Sequence, residues 1–168
     1  MANHESAWDA YCLTVIRQPS VTVLKQELLN IPIFGLAVRM LKPISLNRKQ
    51  LIQSMKRIYS QGQERLNQGY NLLIFPQGTR SVLPTIGKFN PSAINLSLAS
   101  GYPILPVAHN AGEFLPVGKL LKYPGTLNVC IGKPLHPGNH SKKEFSALVM
   151  SSMNTMLKQV HRSPIKFQ

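Results

Sequence analysis

The residues His4-Glu5-Ser6-Ala7-Trp8-Asp9 place an imidazole and a carboxylate with four residues between them. Histidine is the side chain that exchanges a proton near neutral pH. A carboxylate bonded to one ring nitrogen fixes the tautomer and leaves the other nitrogen as a general base. Further along, Phe75-Pro76-Gln77-Gly78-Thr79-Arg80-Ser81 reads as a turn carrying a guanidinium. Arginine can clamp a phosphate through two parallel hydrogen bonds. A base, its orienting acid and an anion clamp suit acyl transfer to the hydroxyl of a phosphorylated alcohol.

The spacing constrains how His4 and Asp9 can meet. Positions five apart on an α-helix lie about 140° apart, so one helix cannot present both on one face. His4 must precede a helix whose first turns hold Asp9, with Asn3 and Ser6 available as caps. The helix N-terminus disfavours an imidazolium and Asp9 favours it. Taken alone, a His and an Asp at this spacing are better explained by helix capping than by catalysis.

In the second segment Gly78 allows a positive φ and a close backbone approach to a ligand. Thr79 and Ser81 can add hydroxyl donors to Arg80. The turn lacks the glycine spacing and Lys-Ser/Thr ending of a nucleotide-binding loop. Arg48, after Ile44-Ser45-Leu46-Asn47, falls at a strand-to-helix junction, where a helix N-terminus already favours anions. Lys25 follows an apolar strand and could be a third cation. Each of these, by itself, reads more readily as a solvated surface residue.

The elements that must position these groups alternate. Ala7 to Arg17 reads as a helix, Val21 to Leu24 as a strand, and Pro32 to Leu41 as a helix with proline in its first turn. Pro43 to Leu46 reads as a short strand. Arg48 to Asn67 reads as a long helix with Leu51, Ile52, Met55, Ile58 and Tyr59 on its apolar side. Asn71 to Phe75 is an apolar run expected in a strand buried on both faces. Pro91 to Ser100 reads as a helix closed by Gly101, and Ile104 to Ala108 as a buried strand. Thr126 to Ile131 alternates as a strand. Ser141 to His161 reads as a long amphipathic helix with Phe145, Leu148, Val149, Met153, Met156 and Leu157 on its stripe. The alternation predicts one α/β domain over residues 1–168, with a mixed, largely parallel central sheet flanked by helices.

Composition narrows the partners. The 168 residues are 43% apolar and 15% charged, which is globular rather than disordered. Nineteen Lys and Arg against six Asp and Glu give a net charge of +13, an attraction for polyanions or an anionic membrane surface. Nucleic acid is disfavoured, because aromatics are 7% and no stacking module or Cys/His finger occurs. Cys12 and Cys130 lie among apolar residues and predict buried, reduced thiols in a cytoplasmic protein. His109, His136, His140 and His161 have no metal-ligand spacing and read as loop or surface residues, so neither metal nor cofactor is expected. The apolar stretch Ile31 to Leu41 is too short to span a bilayer and contains Arg39, so peripheral attachment is the expectation.

With these segments in order, the chain resembles the lysophospholipid acyltransferase family, in particular bacterial-type 1-acylglycerol-3-phosphate acyltransferases. Asn3-His4-x4-Asp9 is similar to that family's His-x4-Asp motif. Lys25-Gln26-Glu27-Leu28, Ile31-Pro32 and Phe34-Gly35 through Asn47-Arg48 resemble its second block. Phe75 to Ser81 resembles its Phe-Pro-Glu-Gly-Thr-Arg-Ser block, and Tyr102 to Val107 its fourth. The resemblance runs from about Asn3 to Gly132.

The resemblance implies a glycerophosphate acyltransferase-like fold and a direct transfer without an acyl-enzyme. His4, oriented by Asp9, would deprotonate the free hydroxyl of lysophosphatidic acid or a related lysophospholipid. Acyl-CoA or acyl carrier protein would be the co-substrate. Arg80, Arg48, Gly78, Thr79 and Lys25 would bind the substrate phosphate, with Gln77 and Ser81 positioning substrate. The site would lie peripherally at the cytoplasmic membrane face.

Two departures carry expectations of their own. Gln77 stands where the family has Glu, which predicts altered substrate handling or a reduced rate. Only Met1 and Ala2 precede Asn3, without the family's preceding strand and membrane-associating segment. The base is therefore expected at a fraying end, and the alternative is an impaired, truncated remnant that only binds anionic lipid.

Overall fold

The computed structural model describes residues 1–47 and 49–168; Arg48 lies outside the described residues. The chain is a mixed α/β protein with a parallel sheet and flanking helices. It divides into two compact units, one of Met1–Cys12 with Phe75–Gln168 and one of Leu13–Ile74.

The second unit holds β1 (Ser20–Lys25), β2 (Ile44–Leu46) and β3 (Asn71–Leu73), in the parallel order β2-β1-β3. Val23 aligns with Ile44 and Val21 with Leu72. Val21 and Ile44 are buried, as β-branched residues on a covered face should be. β3 is only half-buried, so the expectation of a strand covered on both faces fails. α3 (Leu51–Asn67) packs on this sheet with Ser54 and Ile58 buried. Ile52 is exposed, contrary to the periodicity: Ser54 faces inward to exchange hydrogen bonds with Asn47 O and N, turning position 52 outward.

The connection after β1 differs most from expectation. Gln26–Asn30 is a 3₁₀ helix, and α2 spans only Phe34–Met40. Its start is delayed by a γ-turn: Phe34 N donates to Pro32 O (2.6 Å) with Ile33 at φ 63°, ψ −57°. This conformation is rare and strained for a β-branched residue. Gly35 is required beneath it, because a Cβ there would lie 2.2 Å from Leu29 O.

The first unit contains β4 (Thr85–Ile86), α4 (Ser92–Ser100), β5 (Val107–His109), α5 (Ala111–Phe114), β6 (Val129–Ile131), α6 (Lys142–Val160) and β7 (Lys166–Phe167). β5 and β6 are antiparallel, and β4 pairs in parallel with β7. α6 opens on a capping box, with Ser141 Oγ accepting from Glu144 N and Glu144 Oε2 accepting from Ser141 N. Phe145, Val149, Met153, Met156, Leu157 and Val160 are its buried face. Leu148 is exposed, one position off that face. Gly101 ends α4 in the left-handed conformation (φ 75°), as anticipated.

The chain start is not frayed. Met1 O accepts from Val107 N (2.8 Å), Ala2 bridges Val107 in parallel, and Ala2 and Asn3 are fully buried. The anticipated looseness fails because β5 offers the segment a hydrogen-bonding edge. Cys12 and Cys130 are free but half-buried rather than buried.

Candidate active site

The site is built on the start of α1 (Ala7–Ile16), in the first unit. Ser6 precedes the helix, and its Oγ accepts from Trp8 N (3.2 Å). Asp9, in the first turn, returns Oδ2 to Ser6 N (3.0 Å) and to Glu5 N (2.8 Å). The helix start therefore spends one carboxylate oxygen on capping. The other, Oδ1, lies 2.8 Å from His4 Nδ1. Capping and the pairing with His4, alternatives on sequence alone, use different oxygens of one side chain.

His4 is held from several sides. Its ring stacks on Phe75, with centroids 4.3 Å apart. Its backbone N donates to Gln77 Oε1 (2.6 Å), and its carbonyl accepts from Ser81 N (2.7 Å). Gln77 Nε2 donates to Ser81 Oγ (2.8 Å), which also accepts from Gly87 N. Gln77 and Ser81 thus join the Phe75 turn to the backbone of His4. The ring is 19% exposed while Asp9 is fully buried. Its Nε2 has no hydrogen-bond partner among the described residues. With Nδ1–H given to Asp9, Nε2 is the nitrogen able to take a proton from outside.

Gly78 takes φ 66°, and Gly78, Thr79 and Arg80 are exposed beyond this braced pair. Arg80 has no ion pair among the described residues. Lys25 is the exposed last residue of β1, in the second unit. The structure therefore brings His4, Asp9, Gln77 and Ser81 into one hydrogen-bonded set, with Arg80 on the same turn.

Sequence reasoning missed what lies beneath. Asn3 is not a helix cap: its Nδ2 donates to Glu5 Oε1 and His109 O, and its Oδ1 accepts from His109 N. His109 and His161, expected at the surface, are buried. His161 Nε2 meets Glu5 Oε1 (3.0 Å) and its Nδ1 meets Glu113 Oε1 (3.3 Å). Gly112 N also donates to Glu5 Oε2 (3.1 Å). Burial alone would lower the His161 pKa, but Glu5 and Glu113 together raise it above the ordinary value. His109 goes the other way, because its burial outweighs the nearby Asp9 and Glu5. Glu5, lying inside the motif, was the one signal available, since a buried carboxylate demands partners. Among the described residues no group of three or more His, Cys, Asp or Glu could hold a metal ion.

The family model described as Acyltransferase matches residues 1–110. The chain belongs to the acyltransferase family. It is 39% identical over 148 residues to the 1-acyl-sn-glycerol-3-phosphate acyltransferase of Pseudomonas aeruginosa, covering 88% of this chain and 58% of that one. It is 29% identical over 108 residues to the Escherichia coli enzyme of that name, covering 64% and 44%. The chain thus spans about half the length of these relatives. The crystal structure of the 1-acyl-sn-glycerophosphate acyltransferase PlsC from Thermotoga maritima aligns with a TM-score of 0.74 at 23% identity, covering 96% of this chain and 66% of that one. That similarity shows the acyltransferase fold.

Proposed function

We propose that this chain transfers an acyl group from acyl-CoA or acyl carrier protein to the free hydroxyl of lysophosphatidic acid, giving phosphatidic acid. The observation carrying this reading is the His4–Asp9 pair, 2.8 Å apart, with a partly exposed ring on a buried carboxylate. His4 Nε2 takes the hydroxyl proton as the oxygen attacks the thioester carbonyl. The new C–O bond forms, the C–S bond breaks, and the leaving thiolate receives the proton from His4. Asp9 stabilises the imidazolium between these events. No acyl-enzyme is needed, since the acceptor oxygen is itself the nucleophile.

In this reading Arg80 holds the substrate phosphate, helped by the exposed Gly78-Thr79 turn. Lys25 and Arg48 are further cations proposed from the motif alone. Gln77 and Ser81 position substrate through His4, whose backbone they fix.

Peripheral placement at the cytoplasmic membrane face belongs to the same proposal. No helix among the described residues is long and apolar enough to cross a bilayer. Ile33, Leu36 and Met40 are 87%, 71% and 79% exposed, on a segment carrying Arg39 and Lys42. Between Glu27 and Glu64 the chain has six cations and no acid. Exposed apolar side chains among cations suit an anionic bilayer.

The test is acyl-CoA-dependent acylation of lysophosphatidic acid by the purified chain in phosphatidylglycerol vesicles. Turnover that disappears in His4→Ala supports the proposal. A folded parent that binds the vesicles without turnover defeats it and leaves lipid binding alone.

A further inference from the structure

Below the His4–Asp9 pair lies a buried imidazole for which the reaction has no direct use. His109, the last residue of β5, is fully buried, and its ring meets Trp8 edge-on with centroids 6.0 Å apart. Its Nδ1 accepts from Ala111 N (3.2 Å). A neutral ring accepting at Nδ1 carries its proton on Nε2. That Nε2 donates to Asn3 O (2.9 Å) and lies 3.4 Å from Asp9 Oδ2. Oδ2 therefore accepts from Glu5 N and Ser6 N, with the polar edge of the His109 ring packed 3.4 Å behind it, while Oδ1 faces His4.

We infer that His109 is a positioning residue for the acyl transfer proposed above. It aligns the Asp9 carboxylate from behind, and Asp9 in turn holds His4 in the Nδ1–H tautomer that leaves Nε2 as base. The inference rests on that reading of His4. The backbone supports it: Asn3 binds both the N–H and the C=O of His109, so strand and motif segment are locked in register. A precise pair needs such a shell, because a misplacement of about 1 Å can cost roughly 100-fold in rate.

Two substitutions separate positioning from packing. His109→Gln can keep a donor where Nε2 was; His109→Asn keeps an acceptor where Nδ1 was but loses that donor. His109→Asn is expected to lower kcat by roughly 100-fold with little change in KM for the acceptor. His109→Gln should stay within a few-fold of the parent. Nitrogen NMR of the His4 ring should show one Nδ1–H tautomer in the parent and in His109→Gln, and a mixture in His109→Asn. A His109→Asn chain with parental kcat and parental His4 tautomer overturns the inference. So does a fall of both variants in step with their stability.

If the chain transfers no acyl group at all, the function proposed above fails while the His4 tautomer still decides the positioning. If His109→Asn does not fold, the parent's own His109 ring decides. An Nε2–H tautomer upholds the arrangement and an Nδ1–H tautomer overturns it.

Discussion

Residues 3–9 and residues 31–41 both break the ordinary rule of burial, in opposite directions. The first segment buries Asn3, Glu5, Ser6 and Asp9. The second exposes Ile31, Ile33, Leu36, Met40 and Leu41. Buried polar groups persist only when partners compensate lost hydration. Those in residues 3–9 are compensated from β5, α5 and His161, and the reward is a fixed geometry around His4. Exposed apolar groups need no internal partner, but they leave surface that a ligand or bilayer can cover. One segment spends its sequence on holding the His4 ring still, the other on an outward face.

The largest break in this contrast is removal of the pair itself. His4→Ala and Asp9→Asn should each cut acyl transfer by about 10²–10⁴-fold, the range of a general base. Initial rates beside unchanged circular dichroism check it.

Glu5→Ala should come next, acting on stability. It leaves His161, Asn3 Nδ2 and Gly112 N with a lost partner. Breaking a buried ionic pair costs about 3–5 kcal/mol, readable as a lower urea midpoint. The corresponding break in the outward segment is Gly35→Ala, whose Cβ meets Leu29 O at 2.2 Å. A cost of about 1–3 kcal/mol follows from overpacking. Ile33→Gly should instead stabilise the chain by up to about 1 kcal/mol, since glycine accepts φ 63° without strain.

The two buried imidazoles sharpen the contrast through pH. His161 is raised on folding, so its contribution is full below the ordinary histidine value of 6.5 and lost as pH rises through the folded value. His109 is lowered, so the unfolded chain binds the extra proton, and stability falls as pH drops from 6.5 toward the folded value. Urea midpoints plotted against pH should therefore pass a maximum near 6.5 from this pair. His161→Gln should flatten the alkaline limb and His109→Gln the acid limb; limbs unchanged by either would remove this account.

Gln77→Glu is the smallest expected change. One oxygen can still accept from His4 N, but the other replaces the amide N–H donor to Ser81 Oγ. The Ser81 hydroxyl must then donate instead, and acylation rates should shift by a few-fold; an unchanged rate would show that Gln77 is equivalent to Glu there.

Much of this was legible in advance because it is local. The spacing His4-x4-Asp9 already required a helix that starts between them, and α1 begins at Ala7. The stripe of α6 named five of its six buried residues, because a long helix keeps its period under packing. Shorter elements were less legible. The γ-turn at Ile33 replaced the first residues of the helix expected from Pro32, and the 3₁₀ turn at Gln26–Asn30 formed where no element was expected; the close approach of Gly35 to Leu29 outweighs propensity there.

Sequence by itself determined the alternation of elements, the excess positive charge, the family blocks and the spacing that lets His4 and Asp9 pair. Only tertiary structure decided that His109 and His161 lie inside, that Asn3 braces a strand instead of capping a helix, and that Gln77 holds a backbone N–H. The physical reason is range. Helical periodicity and capping act within a few residues and can be read along the chain. Hydrogen bonds from Asn3 to His109, or from His161 to Glu5, join positions more than 100 residues apart. Nothing in the local spacing of either partner encodes them.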